Sequence, residues 1–205
     1  MRQLAIAILA CAFFPAARPV AAQGLDLGAS FGAGSATWRG SLSSQILVKR
    51  GQRLTFGAGL RLTAYGGDPA IFTNQGDIST ERPDRLTIDP SVSGANLMLS
   101  VQYRLAEALQ VGANLDVLGV ATGKSQKLGA SEVKPAQGSI FLVNNNDRGS
   151  LNSEFYVAIP AGRALEIRAG MSHYVLGYQV KERAGATSRY LRFETVPFVG
   201  VRWRR

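Results

Sequence analysis

From Leu54 to Ala64 the chain alternates strictly. Leu54, Phe56, Ala58, Leu60, Leu62 and Ala64 share one parity, and Thr55, Gly57, Gly59, Arg61 and Thr63 share the other. Successive side chains of a strand point to opposite faces, so this stretch predicts a strand with one apolar face and one polar, small-residue face. The same period runs through seven more segments. Leu25 to Ala33 predicts the first strand. About Leu42 to Lys49 predicts a second, with weaker parity because Leu47 sits among Ser43, Gln45 and Lys49. After the Leu54 strand come Ala95 to Leu105, Leu109 to Val117, Asn152 to Ile159, Leu165 to Ser172 and Leu191 to Trp203. The seventh loses its parity from His173 to Tyr178.

The connections differ in length. Lys49 to Arg53, Ala106-Glu107-Ala108 and Pro160 to Arg163 read as tight turns. Residues 66–91 and about 121–149 are long breaks, and a loop near Lys181 to Ser188 precedes the last strand. In the first break Gly66-Gly67-Asp68-Pro69, Arg82-Pro83-Asp84 and Asp89-Pro90 mark turns, and proline argues against a central strand there. A short link at Thr37-Trp38-Arg39-Gly40 follows strand one.

The first 22 residues are expected to be an address and not part of the fold. Met1-Arg2-Gln3 is a basic start, Leu4 to Phe14 an apolar run, and Val20-Ala21-Ala22 a small-residue cleavage site, as in a secretory signal peptide. Residues 23–205 would then be the working domain. A rival reading takes Ile8-Leu9-Ala10-Cys11 as a lipoprotein box with Cys11 as a lipid anchor. Ile in place of Leu, and Phe13-Phe14-Pro15 where a polar tether belongs, favour cleavage after Ala22. That cleavage removes Arg2, Arg18 and Cys11, the single cysteine, and takes the formal charge from +9 to +7. No thiol remains for a disulfide or a metal. Basic residues are scattered over turns and ends without a basic helix, so no nucleic-acid partner is expected.

Alternation alone fits a soluble barrel with an apolar core or a membrane barrel with an apolar outside. Three features favour the membrane. Short connections follow strands two, four and six, and longer ones follow three, five and seven, which puts all tight turns on one side. The strand count is even, so both termini share that side. The strand glycines Gly28, Gly32, Gly34, Gly57, Gly59, Gly112, Gly170 and Gly200 all lie on the polar parity, where a narrow eight-stranded lumen needs room. The expected fold is all-β, an eight-stranded antiparallel up-and-down transmembrane barrel.

Signal peptide, eight alternating segments and the closing Val199-Gly200-Val201-Arg202-Trp203 together resemble the small eight-stranded outer-membrane barrels of the OmpA/OmpX-like superfamily. The resemblance implies the cell outer membrane, contact with lipid and lipopolysaccharide, insertion by the barrel-assembly machinery, and a monomer. Two departures stand out. Arg204-Arg205 follow the terminal aromatic, and Pro197 predicts a bulge or local break in the last strand.

The polar parity collects Arg61, Asp116, Glu154, Glu166, Arg168, Arg192 and Glu194, read as an ion-pair network plugging the lumen. Trp38, Tyr65, Tyr103, Tyr174, Tyr178 and Trp203 are candidates for aromatic girdles. His173, the one histidine, neighbours Ser172, but adjacent strand residues face opposite ways and cannot make a nucleophile–base contact. No catalytic residue, cofactor or metal site is therefore expected. The long loops, 66–91 with net charge −3 and 121–151 with net charge +2, are the expected interaction surface. The expected role is structural or surface-interacting. The alternatives are a secreted lipocalin-like binding barrel, with its apolar face inward, and a lipid A-modifying enzyme.

Overall fold

The computed structural model describes residues 23–74, 85–128, 131–140, 150–181 and 187–204; the proposed signal peptide, residues 1–22, lies outside them. Among the described residues thirteen strands form one antiparallel sheet: β1 (Gln23–Ala33), β2 (Thr37–Arg50), β3 (Leu54–Gly67), β4 (Ala70–Asn74), β5 (Arg85–Ile88), β6 (Ser91–Ala106), β7 (Leu109–Gly123), β8 (Gln126–Leu128), β9 (Ser131–Pro135), β10 (Gly138–Ile140), β11 (Leu151–Pro160), β12 (Leu165–Lys181) and β13 (Thr187–Trp203). Eight of them make the wall, in the order β1-β2-β3-β6-β7-β11-β12-β13. β13 closes the wall by pairing both β12 and β1, with Trp203 opposite Leu27 and Val199 opposite Phe31. The fold is an all-β, eight-stranded, closed antiparallel barrel.

Three tight turns join the wall strands at one end, and the longer connections leave from the other. Gly51 and Gly162 hold positive φ, 71° and 100°, in two of those tight turns, a conformation glycine adopts without a Cβ penalty. At the other end the sheet continues. β1 and β2 meet in a short turn, closed by the Gly34 N–H donating to the Thr37 carbonyl at 2.7 Å. Above it β3 runs on into the β4–β5 hairpin, which pairs β13 at Tyr190 and Leu191. In the same way β9 takes the place beside β12 that β11 leaves, from Tyr178 to Lys181, and β10 pairs β7 at 118–120. The wall is thus taller than its eight ladders.

Three expectations are corrected, and a fourth in part. Thr37 to Gly40 is the start of β2 and no link, because Thr37 and Arg39 continue the inward parity of Ser41 and Gln45. The two long breaks are not wholly loop, since the short strands β4, β5, β8, β9 and β10 extend the wall there. Parity in β12 does not fail at His173. Tyr174, Leu176, Tyr178 and Val180 keep facing inward, and only their chemistry changes from charged to apolar. Of the bulge or local break expected at Pro197, only the break is found, and on one side: β13 passes the proline without a register shift against β12. The ladder to β1 ends next door, at Phe198–Gly32, so proline falls where its strand has a partner on one side only.

The barrel is inverted relative to a soluble protein. Leu42, Leu60, Val120, Phe155, Phe193 and Val199 stand exposed on the outside, and Arg39, Arg61, Asp116, Glu166 and Arg202 are buried inside.

Candidate functional site

The inward parities of all eight wall strands converge on a filled lumen. Its hub is Glu154 on β11. The Glu154 carboxylate lies 2.8 Å from Arg39 and 3.3 Å from Arg61, and accepts hydrogen bonds from Ser30 at 3.1 Å and Asn114 at 2.7 Å. Arg61 also reaches Asp116 at 3.4 Å and donates from Nη2 to the Met98 thioether at 2.8 Å. Asp116 in turn accepts from Asn96 Nδ2 at 2.8 Å and from the Asn152 backbone N–H at 3.1 Å. The buried Glu154 carboxylate is thus compensated by two guanidiniums and two neutral donors, and Asp116 by one guanidinium and two amide donors.

A second cluster lies toward the tight turns. Glu166 accepts from Arg202 at 2.7 Å and also pairs with Arg204, and Arg202 stands 3.7 Å from Asp26. Between the clusters Arg168 sits over the Tyr156 ring at 5.2 Å, and Arg39 over Phe198 at 5.0 Å. Gln102 donates to the Tyr156 hydroxyl at 2.7 Å. Four guanidiniums, of Arg39, Arg61, Arg168 and Arg202, meet four carboxylates, of Asp26, Asp116, Glu154 and Glu166, so the lumen is close to neutral. Small residues make the space for them. A Cβ on Gly59 would collide with the Ser44 carbonyl oxygen, and one on Gly112 would come within 2.6 Å of the Tyr156 ring.

Above the charges the interior turns apolar. Tyr65, Phe72, Ile88, Val92, Val133, Tyr174, Leu176 and Tyr178 form one buried cluster, drawn from the wall and from the β4–β5 and β8–β9 hairpins. Phe72 meets Tyr178 edge-on with ring centroids 5.2 Å apart, and Tyr65 lies 5.0 Å from Tyr174. The Tyr178 hydroxyl accepts from the Ser91 backbone N–H at 2.9 Å, and that of Tyr174 bonds Thr37. The lumen is therefore stacked in two parts, an ionic plug under a greasy cap.

Of the seven residues expected in the lumen network, Arg61, Asp116 and Glu154 meet in one cluster, Glu166 sits in the second, and Arg168 lies between. Arg192 and Glu194 stand apart: they pair with each other near β4, where Arg192 donates to the Ile71 carbonyl at 2.9 Å. Their strand rises above the ionic layers, so shared parity did not put them at a shared height. Arg39, Arg202, Asp26 and Arg204 complete the network. The signal for Arg39 was the inward parity of Ser41, Ser43 and Gln45 continued back by two residues. Asp26 and Arg202 already lay on polar parities.

The girdle candidates divide as well. Trp38, Tyr103 and Trp203 face outward at 42%, 40% and 58% exposure. Tyr65, Tyr174 and Tyr178 belong to no girdle; they are on the inward parity and build the cap. His173 faces outward against Phe155, with Nδ1 2.6 Å from the Thr195 hydroxyl, whereas Ser172 faces inward and donates to Asn152 at 2.6 Å. The two share no site. Among the described residues no group of three His, Cys, Asp or Glu side chains is arranged to hold a metal ion.

No protein-family model matches the chain, and no curated protein matches it. Among solved structures it resembles Neisserial surface protein A, with 18% identity and a TM-score of 0.41 over 88% of this chain and 94% of that one. It also resembles a major outer membrane protein from Thermus thermophilus, with 14% identity and a TM-score of 0.38 over 89% of this chain and all of that one. At these identities and TM-scores the architecture stands on the chain's own ladders: an eight-stranded closed antiparallel barrel with its charge inside.

Proposed function

We propose that the protein is an outer-membrane β-barrel with a structural or surface-interaction role, a closed lumen and no catalytic chemistry. The observation that carries this reading is the inversion of the barrel. Contiguous exposed apolar surface on this scale has no place in water, and buried guanidiniums have none facing lipid. The apolar belt also has the right height. On β13 it runs from Trp203 to Phe193, about ten residues or roughly 33 Å of strand, which at a tilt of about 40° rises roughly 25 Å. Trp38 at one edge and Tyr103 and Trp203 at the other suit the two interfaces. A lipocalin-like carrier needs the opposite arrangement, with an apolar interior around its ligand.

In this reading export uses the N-terminal 22 residues, the tight turns face the periplasm, and the hairpins β4–β5 and β8–β9 face outward. Lipopolysaccharide and other surface ligands would meet those hairpins. The barrel-assembly machinery would read the last strand, and the working unit is a monomer. Fractionation tests the location: the folded protein should sit in the outer membrane and migrate faster on gels before boiling than after. Recovery as a soluble periplasmic protein overturns it. In planar bilayers the intact barrel should show no stable conductance, because plug and cap both close the lumen.

A further inference from the structure

Most of the excess positive charge of residues 23–205 lies toward one rim. The fully buried charges of the lumen balance, four against four, and in sequence the long connections and their flanking strand ends count ten basic residues against nine acidic ones. The tight-turn end instead presents Lys49, Arg50, Arg53, Arg104 and Arg163 against one acid, Glu107. Arg50, Arg53 and Arg163 are exposed, whereas Lys49 and Arg104 are half-buried at the lumen mouth, on the inward rows of Gln102 and Gln110.

This rim lies at the edge of the apolar belt. Arg50 is in register with Leu54, Leu54 with Tyr103, and Tyr103 with Val111, so one outward row across four strands runs from a cation through an aromatic ring to aliphatic surface. Trp203 stands outward at the same end, beside Leu27 and Leu165. Aromatic rings mark the headgroup level of a bilayer, and guanidinium groups at that level meet lipid phosphates.

We propose that the tight-turn rim is a cationic collar that binds the phosphate headgroups of anionic phospholipids. The inference rests on the membrane-spanning reading above. Charge complementarity selects the occupant, and continuity with the apolar belt selects a lipid over a soluble anion, since only a lipid fills both surfaces at once. Collar cations near an anionic surface attract lipid through long-range and contact terms that salt weakens.

The sequence holds two tryptophans, Trp38 and Trp203, one at each edge of the belt. Variants W38F and W203F therefore leave one fluorescent reporter per edge. Each is reconstituted in phosphatidylcholine vesicles containing phosphatidylglycerol, with bromine on the chains of one lipid or the other. Both leaflets have the same composition, so insertion direction is immaterial. Expected is a two- to fivefold (on the order of what a few collar charges supply) preference of brominated phosphatidylglycerol over phosphatidylcholine around Trp203, lost at about 1 M salt. No such preference is expected around Trp38. Replacing Lys49, Arg50, Arg53 and Arg163 together by glutamine should abolish the preference, with the folded gel species retained. Equal quenching of Trp203 by the two lipids, or a preference that survives the fourfold replacement, overturns the collar. If neither tryptophan is quenched by any brominated lipid, the spanning reading itself is wrong.

Discussion

Glu154 shows how one residue can hold the interior. It contacts Arg39, Arg61, Ser30 and Asn114, side chains from β1, β2, β3 and β7, so four strands are tied to β11 through a single carboxylate. Glu154→Ala leaves buried Arg39 without a carboxylate and Arg61 with Asp116 alone, a loss of about 3–5 kcal/mol. In detergent micelles the thermal midpoint of the folded, fast-migrating species should fall sharply. Glu154→Gln keeps the shape and an acceptor and should lose less. Gly59→Val is harsher in kind. Its Cβ would press on the backbone of β2, so little folded barrel should be recovered in refolding trials. At His173 the expectation runs the other way. Its ring lies outside, away from Ser172, and His173→Ala should leave the mass spectrum of lipid A unchanged.

The hairpins matter at the scale of elements. Phe72 on β4 is fully buried against Tyr178 on β12, so Phe72→Ala should cost about 3–5 kcal/mol and loosen the β4–β5 hairpin. The bilayer readout separates cap from plug. With the ionic plug intact below it, this variant should stay silent despite its lower midpoint; new conductance would assign closure to the cap alone. The strands themselves were legible from period two, because each wall strand has one face against side chains and one against an apolar surrounding. Leu54–Ala64 is the plainest case: every residue of its apolar parity is outward, and Arg61 and Thr63 are buried. The upper parts were less legible. There the inside is apolar, so Tyr174, Leu176 and Tyr178 break the polar-in rule that held below. The short strands β4, β5 and β8 to β10 are three to five residues long, beside prolines and glycines that read as turns. The plug was half legible for a related reason. Parity tells which way Arg192 and Glu194 face but not how high along the lumen they sit.

The whole molecule is a charge-filled cylinder with an apolar coat, capped at one end and cationic at the other. In the proposed membrane-spanning reading this coat faces lipid and the two ends face different compartments. Cys11 is the single cysteine of the sequence and lies in the proposed signal, so engineered thiols report cleanly. The most direct measurement is labelling of single-cysteine variants in intact cells with a membrane-impermeant maleimide. Lys127→Cys, on the β8–β9 hairpin, should label at once. Gln52→Cys, in the tight turn between β2 and β3, should label only after the outer membrane is opened. Leu62→Cys, in mid-belt on β3, should stay unlabelled in both conditions until the protein is unfolded. Labelling of Gln52→Cys and Leu62→Cys in intact cells to the same extent as Lys127→Cys would contradict the account.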